Sequence, residues 1–156
     1  MKNAEELKES ALIFLQKHFL AVVATADNSG KPEAAAVFYD IDDDFTLHFM
    51  TRETSRKAKN IFDNKKVALV INDNQELVTV QLEGEAELDK EGFMHLADKL
   101  AQKPSLEKLN LPVFKLPGSN VITYKVKLNW LRMLDWSMTE DLKIEDYRAA
   151  FKETDL

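Results

Sequence analysis

MTRETSRKAKNIF, residues 50–62, is the stretch that decides how this sequence is read. From Ser55 it has the spacing of a short helix, with Ala58, Ile61 and Phe62 recurring on one face. Arg56 and Lys57 occupy the first turn, and Arg52 lies just before it. Cations carry the wrong sign of charge for the positive end of a helix dipole. The chain has a net charge of −6, so acids were available for that position. An anion bound at the helix start would explain the choice, because free backbone N–H groups and the dipole favour a phosphate there. Arg and Lys add charge-assisted hydrogen bonds, and Ser55 and Thr51 add hydroxyl donors. No Glu or Gln stands at the third helical position to complete a capping box, so the N–H groups are expected to be unclaimed by side chains. The alternative is a solvated, basic surface helix.

Composition narrows the surroundings of this stretch. At 156 residues, 45% hydrophobic and 31% charged, the chain reads as one domain, residues 1–156, with a polar C-terminal tail from about 137. No apolar run approaches the roughly 18–20 residues that span a bilayer. The start, Met-Lys-Asn-Ala-Glu-Glu, lacks the apolar core of a secretory signal, so a cytoplasmic protein is expected. With no cysteine there is no disulfide, thiolate metal site or cysteine nucleophile. The acidic balance argues against nucleic acid as a partner. Asp40, Asp42, Asp43 and Asp44 read as a solvated turn, since EF-hand spacing is missing. His18, His48 and His95 lie on three different elements without metal-ligand spacing, and His48 reads as a half-exposed strand residue.

Outward from the opening stretch, Leu7, Ala11, Phe14 and Leu15 predict an amphipathic helix over 4–17. Strands are predicted at 19–26, 32–39, 45–50, 67–71 and 77–87, separated by turn signals such as Asp-Asn-Ser-Gly-Lys (27–31) and Asn-Asp-Asn-Gln (72–75). A helix is expected at about 90–103, a proline-containing excursion over 103–118, a strand at 121–134 and a weak helix at 143–152. Six strands joined mostly by tight turns do not alternate βαβα, so a parallel doubly wound sheet is disfavoured. A mainly β fold, an antiparallel barrel with peripheral helices, fits best, because closure removes exposed edges.

The four glycines form no Gly-rich loop, so any phosphate has to be held mainly by side chains. Thr-x-x-x-Ser-Arg-Lys-x-x-Asn-Ile (51–61), after a strand ending Leu-His-Phe-Met, resembles the flavin-phosphate motif of the pyridoxamine 5'-phosphate oxidase-like, FMN-binding split-barrel superfamily. The order helix, strand, turn, Lys-Pro strand, acidic turn, strand agrees, as does Leu-Glu-Gly-Glu-Ala in 78–87. The resemblance covers roughly residues 8–135.

It implies a six-stranded antiparallel split barrel of Greek-key type, and a homodimer with FMN at the subunit interface. Carried over, Arg56 and Lys57 grip the FMN phosphate, Ser55 and Thr51 donate hydroxyls, and Arg52 assists. Ala36, Val37 and Phe38 run beside the isoalloxazine ring, and Phe49 and Met50 end the strand that supports it. Gln81 is either a ring or ribityl contact or an exposed strand residue. Trp136 covers the flavin from the second subunit or is an ordinary core or interface aromatic. The sequence departs from the family in having Asn64-Lys65 where Asn-Pro is usual, and in having no histidine after His95 to serve a pyridoxamine phosphate. The expected function is therefore a flavin-dependent oxidoreductase that is not a pyridoxamine-phosphate oxidase proper. The alternatives are a non-catalytic module holding FMN or another anionic cofactor such as a deazaflavin or heme, and a barrel whose site has decayed. No residue is assigned a catalytic role.

Overall fold

Asn3 opens the first helix by accepting the Glu6 N–H on its side chain at 2.8 Å, and Glu5 and Glu6 complement the dipole. That helix, α1 (Ala4–Lys17), lays Leu7, Ala11, Phe14 and Leu15 into the main core. The computed structural model describes residues 3–103, 106, 120–139 and 150–156. The other elements are β1 (Leu20–Ala26), β2 (Pro32–Ile41), β3 (Thr46–Arg52), α2 (Arg56–Asp63), β4 (Lys66–Asp73), β5 (Val78–Asp89), α3 (Gly92–Ala101), β6 (Val121–Asp135) and β7 (Phe151–Asp155). A 3-10 turn, Trp136–Thr139, follows β6.

All strand pairs among the described residues are antiparallel, in the order β3-β2-β1-β4-β5-β6, and β3 pairs with β6 to close a six-stranded barrel. Alternation along the strands is plain, as in β5, where Val78, Val80, Leu82, Gly84 and Ala86 face inward. Tyr39, Leu47, Phe49, Ile71, Val80, Leu82 and Leu131 fill the interior together with Leu15. Gly84 sits at a register shift between β5 and β6, where a Cβ would lie 2.4 Å from the Lys127 carbonyl oxygen. Only glycine permits that approach.

α2 feeds Ala58 and Ile61 into the same core. α3 packs outside the barrel. There Leu96 and Leu100 join Met50 and Leu106 in a second cluster, flanked by Phe19, Phe38, Phe93 and Val121.

Four expectations change. Phe62 is 88% exposed instead of sharing the buried face of α2. Asn60 is turned inward, where its Nδ2 donates to Thr25 Oγ1 at 3.0 Å, so Phe62 on the opposite flank of Ile61 faces out. The described end of the C-terminal stretch is a strand, not part of a helix. β3 covers only residues 121–127 on one edge of β6, and β7 covers 130–134 of the same edge. The acids at 40–44 are not uniformly solvated. Asp40 is buried against Lys103 at 3.0 Å, and Asp42 accepts from His48 Nε2 at 2.8 Å. His48 is buried rather than half-exposed, shielded in part by the His95 ring. Most of the 103–118 excursion and residues 143–149 of the expected weak helix lie outside the described residues.

Candidate functional site

The barrel is incomplete along one seam. β2 pairs with β1 over residues 32–38, but with β3 only through Tyr39, Asp40 and Ile41. The Tyr39 N–H donates to the Phe19 carbonyl at 2.9 Å. Backbone groups alternate along an antiparallel ladder, so those of Val37, Ala35 and Glu33 also face β1. Those of Ala34, Ala36 and Phe38 then point into the seam, toward Met50–Arg52 and the start of α2. An unpaired backbone edge is a set of fixed donors and acceptors awaiting partners.

At the mouth of the seam stands the first turn of α2. Ser55 is its N-cap, accepting the Ala58 N–H on Oγ at 3.2 Å, and Thr51 Oγ1 lies 3.2 Å from Ser55 Oγ. One N–H is therefore claimed by a side chain, which corrects the expectation of none. The N–H groups of Arg56 and Lys57 have no partner among the described residues. No acid occupies the first turn. Arg52 and Lys57 have no carboxylate within 4 Å among the described residues, and Arg56 meets Glu33 through Nε at 3.7 Å. The result is a corner of two hydroxyls and two N–H groups without partners among the described residues, with three cations, Arg52, Arg56 and Lys57, on the residues that flank it. Its chemistry suits a phosphate dianion.

The helix is held there by particular contacts. Arg56 and Asn60 are one turn apart, over Glu33 and Thr25 respectively, and those two residues face each other across β1 and β2. Tyr124 donates from its hydroxyl to the Ala58 carbonyl at 3.5 Å, and burial with the nearby Glu53 charge raises its pKa.

The other expected residues divide into groups. Ala36 is exposed on the outer face, while Val37 points into the barrel. Phe38 and Met50 support the seam from beneath α3. Phe49 is fully buried in the barrel, stacked on Tyr124 at 5.4 Å, so its side chain does not face the seam. Gln81 lies on the outer face, in the cross-strand row Ala36, Val22, Val70, Gln81, Arg132. Three strand spacings separate it from Ala36, about 14 Å. Trp136 is 42% exposed beside Phe151, and its backbone N–H donates to the Leu77 carbonyl at the far end of the barrel from α2. One chain does not bring Gln81 or Trp136 to the positive corner.

Two residues of the site region escaped sequence reading. Glu33 reads as a turn-proximal strand acid, and nothing local signals its burial. Lys103 reads as the start of a loop, yet its ammonium reaches Asp40, the Gln16 carbonyl and the His18 carbonyl. Both contacts depend on tertiary structure.

The pattern of the pyridoxamine 5'-phosphate oxidase family matches residues 7–110, two thirds of the chain. No curated protein matches the sequence. The fold is similar to that of General Stress Protein 26 from Bacillus anthracis, with 23% identity, a TM-score of 0.62, and coverage of 81% of this chain and 92% of that one. It is also similar to a Clostridium acetobutylicum protein related to general stress protein 26, with 13% identity, a TM-score of 0.67, and coverage of 99% and 97%. A third similarity is to the heme storage protein of Vibrio cholerae, with 14% identity, a TM-score of 0.58, and coverage of 82% and 91%.

Proposed function

The chain belongs to the pyridoxamine 5'-phosphate oxidase family, and from that premise we propose that it is a cytoplasmic FMN-binding flavoprotein that works as a homodimer. Its activity is that of a flavin-dependent oxidoreductase on a small molecule other than a pyridoxamine phosphate. The observation that carries the reading is the positive first turn of α2, set beside the unpaired edge of β2. Arg56, Lys57 and their backbone N–H groups hold the phosphate, with Ser55, Thr51 and Arg52 around it. The backbone of Ala36 and Phe38 meets the ring along the seam, with Val37, Phe49 and Met50 behind. Bound there, FMN supplies the redox chemistry, and the chain supplies orientation and charge.

The homodimer is supported by the outer sheet face. Leu20 and Val22 are 50% and 38% exposed, and Ala24, Ala34, Ala36 and Ala68 continue an exposed apolar surface around them. Such a face suits burial against a second copy. A second copy is also the route by which Gln81 and Trp136 reach a flavin.

An absorbance spectrum of the purified protein, before and after addition of FMN and removal of excess, tests the reading. Bands near ~370 and ~450 nm that stay with the protein are expected of a bound flavin. Arg56→Ala with Lys57→Ala weakens FMN binding by roughly 2–5 kcal/mol, as expected when cations pair with a partly buried dianion. Unchanged affinity in a folded variant sinks the phosphate assignment.

The second reading is a binding module without turnover, for FMN or another anionic cofactor such as a deazaflavin or heme. The likeness to the Vibrio cholerae heme storage protein favours keeping it. His18 has both ring nitrogens engaged, by the Phe14 carbonyl and Asp73, so an imidazole ligand for a heme iron would have to come from His48, whose Nδ1 has no partner among the described residues, or from the exposed His95. Reduction of the bound flavin by a nicotinamide donor supports the enzyme. Failure with either donor, together with a Soret band on hemin addition, supports the module.

A further inference from the structure

We infer that Glu33 is a positioning residue for the anion site: it anchors Arg56 through Nε so that the terminal guanidinium fork faces the ligand. The inference rests on the phosphate reading of α2. The Glu33 side chain is 13% exposed, and its Oε2 is buried without a hydrogen-bond partner among the described residues. A buried carboxylate oxygen left unsatisfied calls for a reason. Among the described residues the cation it pairs with is Arg56, whose Nε lies 3.7 Å away, an ion pair too long for a hydrogen bond.

The surrounding contacts fix this pair. Glu33 faces Thr25 across β1 and β2, and Thr25 Oγ1 accepts from Asn60 Nδ2. Asn60 sits one helical turn beyond Arg56, so α2 cannot roll without breaking that bond. The Arg56 side chain is 72% exposed, which leaves its terminal nitrogens to solvent. Glu33 Oε2, being buried, is out of a ligand's reach. A guanidinium held from behind at Nε still offers its two-pronged face to a phosphate. Part of the ordering of a long side chain is then complete before the ligand arrives, and affinity gains accordingly.

Equilibrium binding of FMN and of riboflavin, read by flavin fluorescence, tests this with Glu33→Gln, Glu33→Asp, Arg56→Ala and the Glu33→Gln/Arg56→Ala double variant. Glu33→Gln weakens FMN binding by about three- to ten-fold, the scale of ordering one such side chain. Riboflavin, which lacks the phosphate, binds as before. Glu33→Asp keeps the charge but withdraws it from Nε, so it gives an FMN-specific loss in the same direction, and it serves if the Gln variant does not fold. In the Arg56→Ala background, Glu33→Gln has no further effect. Equal or tighter FMN binding by Glu33→Gln overturns the inference, because the carboxylate is then inert or a competitor for Arg56. Equal losses for FMN and riboflavin overturn it too, since they mark a structural role. FMN binding that is indifferent to Arg56→Ala removes the phosphate reading itself, and a Glu33 defect that persists in that background removes only the inference.

Discussion

Strand β2 carries an acid near each end, and each meets a cation brought by a helix. At the Asp40 end, Lys103 follows α3 and is buried, and its three ammonium protons are matched by three acceptors, Asp40 Oδ1 and the carbonyls of Gln16 and His18. The Tyr39 ring lies 5.4 Å away as a fourth wall. At the Glu33 end, Arg56 has five donors, one carboxylate at 3.7 Å and a 72% exposed side chain. The first pair is saturated and closed, and the second is unsaturated and open. A saturated pair can only hold structure, whereas an unsaturated one has capacity left for a ligand. The seam follows the same division, since β2 is paired to β3 beside Asp40 and unpaired toward Glu33.

Breaking the closed pair has the largest expected effect. Lys103→Met leaves the Asp40 carboxylate buried without a counter-ion, and breaking such a pair costs about 3–5 kcal/mol. Urea unfolding of the variant measures it. Adding Asp40→Leu removes the stranded charge, so the double variant recovers most of the loss. A loss below about 1 kcal/mol in Lys103→Met would place this pair with ordinary surface ion pairs and dissolve the contrast.

Breaking the open pair gives the reverse profile. Arg56→Ala lowers folding stability by at most about 1 kcal/mol, the range for an exposed partner. FMN affinity falls by more than that, because a charge-assisted contact to the phosphate is lost. The comparison is sharpened by measuring both quantities on both variants. Lys103→Met should alter stability far more than affinity, and Arg56→Ala affinity more than stability.

The same contrast explains what the sequence could tell. α1 was legible because Leu7, Ala11, Phe14 and Leu15 repeat at the helical period, and its bounds are as expected. The barrel strands were legible through alternation and turn residues, although β3 runs on through Thr51 and Arg52. The positive corner was legible because the charges that make it, Arg52, Arg56 and Lys57, are neighbours in sequence. Asp40 with Lys103, and Thr25 with Asn60, lie 63 and 35 positions apart. No local pattern couples such residues. β7 was missed for a related reason. What makes Phe151–Asp155 a strand is the edge of β6 that β3 leaves uncovered. Phe62 misled because its apolar side chain fits a helical stripe that the Asn60 contact turns away from the core.

Exposed Phe62 gives a smaller test of the open end. Phe62→Ser should change stability by no more than about 0.5 kcal/mol, as for other surface substitutions away from special features. It should also lower the protein's tendency to associate at high concentration, if the side chain is sticky where it stands. A loss above 1.5 kcal/mol in urea unfolding would mean that Phe62 is covered in solution, and that this side of α2 is not open.

The smallest effect concerns the turns that lead into and out of β2. Asp27 accepts from Ser29 Oγ at 2.7 Å and from the Ser29 and Lys31 N–H groups, and these bonds lower its pKa, with the Ser29 hydroxyl bond the leading cause. Asp44 accepts the Thr46 N–H at 2.9 Å, the leading cause of its lowered pKa. Both carboxylates therefore bind protons less readily folded than unfolded. Their contribution is present above the unfolded value of 3.8 and is lost as pH falls through the lowered folded values. Thermal melts should be flat from pH 7 toward about pH 5 and then descend. Asp27→Asn and Asp44→Asn keep an acceptor but remove the charge, so each should lower the Tm slightly at pH 7 and flatten the acid limb. Equal flattening from the two would mean that both turns are held alike, and that the asymmetry of β2 resides in its two ion pairs rather than in how its ends are tied. A much larger change from Asp27→Asn would place part of that asymmetry in the turn at the open end.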